Sequence, residues 1–147
     1  MKPSDAPPPP RSLLLRGHVW LAATIVPLLV RLLPIRGLIW VMTPPRWLHL
    51  YRRVPPERMA AIVSHRLRKP RVMRRRACLR HGLVLFHVLK LAGQPAVLHF
   101  GVYPPSADPR RLHGHCWVTV DGVSLSAPPA QPAAVLLECG CEDKLAP

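Results

Sequence analysis

Aromatic side chains are scarce, at 5% of the 147 residues, and so are carboxylates, with 7 Asp and Glu against 21 Lys and Arg. The few aromatics do not interleave with the densest basic run, "RLRKPRVMRRR" at 66–76. That removes the stacking platform on which single strands are held, and no nucleic-acid partner is expected. The net charge of +14 still favours an acidic peptide or anionic lipid, without choosing between them.

A long uninterrupted apolar run is also missing. A membrane-spanning helix needs about 20 such residues. The richest stretch, Val19–Val30, contains Pro27 and is followed by Arg31, Pro34 and Arg36. No basic region, apolar region and small-residue cleavage site follow one another at the N-terminus. The expected location is therefore cytoplasmic and reducing, with Cys78, Cys116, Cys139 and Cys141 as free thiols. No internal repeat is visible.

What is abundant is apolar residues, at 49%, and proline, at 20 residues. The prolines cluster and so mark tails and loops. Residues 1–11 read as a disordered, Pro-rich tail. Residues 12–70 read as a helical region, with short helices over 13–32, 35–42 and 57–69. The first two would bury apolar faces on a core or a partner, and peripheral contact with a membrane surface is a further use of them. Residues 71–147 read as a second, mixed region. From Ala77 to Ala92 apolar residues cover most of a helix circumference, so this helix should be central and buried, with Gly93 as its C′ cap. "PAVLHFGVY" (95–103) and "HCWVTV" (115–120) alternate as strands. "DG" at 121–122 is a hairpin turn and "VSLS" (123–126) returns. The remainder reads as mostly irregular, with a short element at Ala133–Glu138. Helices followed by antiparallel strands give an α+β layout.

Cys78 falls in the first turn of the central helix. Free N–H groups there, with Arg74, Arg75, Arg76 and Arg80 nearby, favour the thiolate, which is the reactive form. The bland alternative is a packed thiol. A nucleophilic cysteine needs a base within hydrogen-bond reach. Of the eight histidines, His115 is the best placed, held on a strand and facing away from the Cys116, Val118 and Val120 stripe. His81 is one turn beyond Cys78 but reads equally well as a helix-surface residue. Leu83, Phe86, Leu89, Leu98, Phe100, Val118 and Val120 should form the core beneath the site.

"CLRHGLVLFHVLKLAGQPAVLHFGV" followed by "HGHCWVTVDG" resembles the transglutaminase-like cysteine peptidase of lasso-peptide biosynthesis, the C-terminal domain family of the microcin-processing B proteins. "RLLPIRGL" at 31–38 resembles that family's N-terminal helical part, so the likeness covers roughly residues 12–126. It implies a papain/transglutaminase-like fold, with the Cys-bearing helix packed on a small antiparallel sheet. It also implies a leader peptidase without cofactor, acting on a lasso precursor peptide. The 147 residues leave no room for the winged-helix domain that larger members carry in front. A separate leader-recognition protein and an asparagine-synthetase-like, ATP-dependent cyclase are then the expected partners. Cys78 would be the nucleophile and His115 the base. Backbone N–H groups at Cys78 and Leu79 would meet the oxyanion, and Trp117 would wall the site or simply pack. Arg74, Arg75 and Arg76 would dock the leader or its carrier.

The family's third residue is an acid about a dozen positions after the histidine, where this chain has Ala127. Asp121 lies six strand residues from His115, about 20 Å away, and reads better as a turn residue. Ser126, diagonal to His115 across the hairpin, could orient the imidazole as a neutral acceptor. Asp108, Glu138 and Asp143 are further candidates from loops. Two rivals stand beside the peptidase. One is an inactive scaffold or basic adaptor. The other is a zinc module using "HGHC" at 113–116 and "CGC" at 139–141, against which the close ligand spacing counts.

Overall fold

Prolines and glycines cut the chain into segments of helical or alternating apolar spacing. The computed structural model describes residues 10–45, 47–68, 77–103, 114–130 and 132–140. Among these, α1 (Pro10–Leu32), α2 (Ile35–Met42), α3 (Pro56–Leu67) and α4 (Ala77–Leu91) precede β1 (Ala96–Val102), β2 (Gly114–Val120), β3 (Val123–Ser124) and β4 (Ala134–Cys139). The architecture is α+β, as the order of patterns implies. Arg74–Arg76 lie outside the described residues, as do Asp108, His113, Cys141 and Asp143.

Helix α4 is the axle of the molecule. Leu83, Val84, Leu85, Phe86, Val88 and Leu89 are each at most 1% exposed, because α1, α2, α3, β1 and β2 all pack on it. It ends in a Schellman motif. Gly93 N–H donates to Lys90 O at 2.9 Å and Gln94 N–H to Leu89 O at 3.0 Å. Gly93 has φ +72°, a left-handed backbone that a side chain would strain.

The sheet order is β3-β2-β1-β4, and every neighbouring pair is antiparallel. Register places Ala96 opposite Val120, Leu98 opposite Val118 and Phe100 opposite Cys116, which is the face turned to α4. His99 lies opposite Trp117, and Gly101 opposite His115, on the other face. The Asp121–Gly122 turn joins β2 to β3, with φ +49° and +79°. Strand β4 takes the place of the short element expected at Ala133–Glu138, in a C-terminal segment otherwise expected to be irregular. It pairs with β1 by backbone hydrogen bonds, while its Val135, Leu136 and Leu137 stay exposed. With neither face buried, it carries no alternation to read.

All of the expected core residues are buried except Phe100, which is partly covered. The same cluster takes in Leu15, Val19, Ala23 and Val26 of α1, Leu38 and Met42 of α2, and Met59 and Val63 of α3. The helices therefore share one continuous core with the sheet.

Helix and sheet approach closely at Gly82, where a Cβ would stand 2.6 Å from Cys116 Sγ and 3.3 Å from Leu98 Cδ1. Gly82→Ala should lower stability by about 1–2 kcal/mol, overpacking outweighing the gain in helix propensity. Cys116→Ala in the same chain should recover most of that loss, measured by denaturant unfolding.

A polar chain crosses the same core. His87 Nδ1–H donates to Met42 O at 2.9 Å. That leaves His87 Nε2 to accept from His18 Nε2–H at 3.2 Å, and His18 Nδ1 to accept from Tyr51 Oη–H at 3.0 Å. In this order both rings are neutral. Burial lowers both histidines from 6.5, with the positive charge of His87 adding to the effect on His18. Burial likewise lowers His81. The unfolded chain thus takes up these protons first. Their stabilisation is present above 6.5, the unfolded value, and is lost as pH falls through the lower folded values. The melting temperature should fall between neutral pH and about pH 5, and His87→Gln should flatten part of that slope.

Candidate active site

Cys78 is the second residue of α4, so the unpaired N–H groups of the first turn surround its backbone. Its side chain is half-buried and reduced. The thiol points to the carbonyl of Gly114 at 4.0 Å. Gly114 opens β2, and His115 follows it. The helix start and the strand start therefore meet, and Cys78 and His115 line one cleft of about 380 Å³. His81, Cys116, Ser126 and Ala127 also line it, with Ser64 and Arg68 from the α3 side.

The imidazole of His115 is held from two directions. Its Nε2–H donates to the carbonyl oxygen of Ala127 at 2.9 Å. A carbonyl can only accept, so the proton sits on Nε2, and Nδ1 keeps a free lone pair. Its ring stacks on Trp117 at 5.8 Å and 18°, and on Tyr103 at 6.0 Å and 29°. Trp117 in turn stacks on His99 at 5.2 Å and 8°. His99 is clamped by Thr119 Oγ1 at 2.8 Å and Glu138 Oε1 at 3.1 Å. A row of rings thus runs along the outer face of β2, which is why Trp117 is only 8% exposed there. Trp117 stands behind His115 and is not among the residues lining the cleft.

The acceptor on His115 is neutral, as expected of Ser126, but it is the next residue's backbone. After Ser124 the second hairpin strand leaves the ladder. Leu125 N–H still donates to Val118 O at 3.0 Å. The return bond from Val118 N–H, however, goes to Ser126 Oγ at 2.9 Å. With the Ser126 hydroxyl tied to β2, the chain turns and presents Ala127 O to the ring. Asp121 stays in the hairpin turn with positive φ, at the far end of β2 from His115. Glu138 is bound to His99 rather than to His115. Leu79 packs partly buried against the core and is outside the cleft lining, so only its first-turn amide is of use there. The Ala127 carbonyl carries no signal in the sequence, since a backbone acceptor leaves no mark on residue type.

His81 accepts or donates through Nε2 to Ser64 Oγ at 3.0 Å, tying α4 to α3 inside the cleft. Burial lowers its pKa from 6.5 and keeps it neutral. Cys116 lies under the site, where burial, and then the neighbouring thiols Cys78 and Cys139, push its pKa far above the usual thiol range. Among the described residues no three His, Cys, Asp or Glu side chains converge as metal donors.

Alkylation of the native protein followed by peptide mass spectrometry should therefore separate the thiols. Cys78 should be modified first, from the open cleft. Cys116 should react at least about tenfold more slowly until the chain unfolds.

The transglutaminase-like superfamily model matches residues 19–136. No curated protein and no solved structure matches the chain.

Proposed function

The chain belongs to the transglutaminase-like superfamily, and we propose that it is a cysteine peptidase that removes the leader from a lasso-peptide precursor. The observation that carries the chemistry is the shared cleft. A thiol at a helix N-terminus and an imidazole with its free Nδ1 occupy one cavity. The finer assignment to lasso-peptide maturation rests on the sequence resemblance of the Cys78 and His115 segments.

In this mechanism Nδ1 of His115 takes the proton from Cys78 Sγ, and the sulfur attacks the carbonyl carbon at the leader–core junction. First-turn N–H groups of α4 face the oxygen as it becomes negative. The tetrahedral species collapses, and the protonated His115 gives its proton to the departing core amine. A water molecule, deprotonated by Nδ1, then hydrolyses the leader thioester and restores the thiol. The core peptide leaves with a free α-amino group, the group an ATP-dependent cyclase needs to close the ring. A separate leader-recognition protein would deliver the precursor.

The carbonyl of Ala127 takes the place of a carboxylate. Orientation does not need charge, and cysteine peptidases of the papain type use a neutral amide there. A carbonyl does stabilise the imidazolium less than a carboxylate would. This specific feature favours a slow enzyme, and it is the one observation on the side of a non-catalytic scaffold of the same fold.

Mass spectrometry of precursor peptide incubated with the protein and its recognition partner decides between them. Wild type should release one leader fragment. Cys78→Ala and His115→Ala should lower the rate by about 10²–10⁴-fold, with melting temperatures near that of wild type. Cleavage that survives both substitutions, or a wild type that stays inert with its leader-binding partner present, would sink the peptidase reading.

A further inference from the structure

A helix that is apolar all round is normally covered all round, and α1 is covered on one side only. Leu15, Val19, Ala23 and Val26 turn into the core. On the opposite side Leu14, Leu21, Ile25, Leu28 and Leu32 form a stripe at helical spacing, and all are exposed. Leu28, near its middle, is 57% exposed. By length and composition Leu13–Leu32 could cross a membrane, with only 22% of the window buried. Crossing would strip the core-facing four from α4 and α3, so the helix is fixed flat against the protein.

Charge beside the stripe has one sign. No aspartate or glutamate occurs between Asp5 and Glu57, while Arg16, Arg31, Arg36, Arg52 and Arg53 fall within that stretch. A recess of about 760 Å³ joins the two kinds of surface. Leu14 and Leu21 of the stripe line it together with Leu50, Arg52 and Arg53. Exposed indoles are also unusually dense, with Trp20 on α1, Trp40 on α2 and Trp47 in the loop that follows. Tryptophan and arginine around an apolar helix face are the composition of a helix seated at a lipid interface. A second copy of the chain is disfavoured as the cover, because it would set arginines against arginines with no carboxylate between.

We propose that the outward face of α1, with the Arg52–Arg53 recess beside it, docks this protein on an anionic phospholipid bilayer. The helix lies in the plane of the surface, about 35 Å long. Its leucines enter the acyl boundary, and the arginines meet lipid phosphates. The docking is independent of the peptidase chemistry and uses neither Cys78 nor His115.

The test is vesicle flotation of the full chain. Vesicles of mixed phosphatidylglycerol and phosphatidylcholine should carry it, and its tryptophan emission should shift to the blue. Pure phosphatidylcholine, or raised salt, should weaken binding at least about tenfold. Leu21→Glu with Leu28→Glu should abolish flotation, and Arg52→Gln with Arg53→Gln should weaken it. Both pairs change exposed positions, so the unfolding temperature should hold. Cys78→Ala should float like wild type, which separates this result from any failure of catalysis. The proposal is overturned if the protein floats with neither vesicle. It is equally overturned if the leucine pair floats unchanged, or if the face proves to hold a dimer that the leucine pair dissociates.

Discussion

The contact of α4 with β2 at Gly82 is the constraint on which the site depends. Only a residue without a Cβ lets the helix sit down on Cys116 Sγ and Leu98. From that seat, the helix start projects one way along β2 and meets the strand's first residues. Cys78 precedes Gly82 by about one turn, and His115 precedes Cys116 on the strand. A small shift at Gly82 would thus be felt where Cys78 faces the Gly114 carbonyl. The thiol that anchors the seat is itself inert, because burial keeps Cys116 protonated. Two adjacent residues of one strand therefore part, Cys116 packing against α4 and His115 held among the rings of the outer face, simply by pointing to opposite faces.

The imidazole shows how a site can be built with little help from side-chain identity. Its orientation comes from a backbone carbonyl and a row of rings. The hairpin's departure from its ladder creates the carbonyl's position, and the Ser126 hydroxyl makes that departure affordable by accepting from Val118. The ring row is anchored at its far end, where His99 bonds to Thr119 and to Glu138. In this way β4 contributes to the site although it touches none of the cleft.

What the residues disclosed and what they hid divide along one physical line. Helix α4, with its apolar circumference and Gly93, was legible because packing and capping are written in residue type. So was β2 with its Asp-Gly turn, and Cys78 and His115 line one cleft. The Ala127 acceptor was not, since any residue carries that oxygen and only the path of the chain aims it. Strand β4 was legible only as a short element of unassigned type, because three consecutive exposed apolar residues give no period. For Trp117 the residues left walling the site and packing both open, and it packs. Alternation put it on the outer face, and it is covered there by its neighbours on the strand and across it rather than by a second layer of structure.

The scarcity of carboxylates shapes both the interior and the surface. In the core, the polar chain His87–His18–Tyr51 is satisfied by neutral partners, with no acid in it. The His115 pair likewise ends on a neutral oxygen. With 21 Lys and Arg against 7 Asp and Glu, the chain carries a net positive field that points outward. Neutral hydrogen bonding within and unbalanced cations without are then two sides of one composition. It yields an imidazole held by geometry rather than by charge, and a surface suited to a partner that brings the negative charge itself.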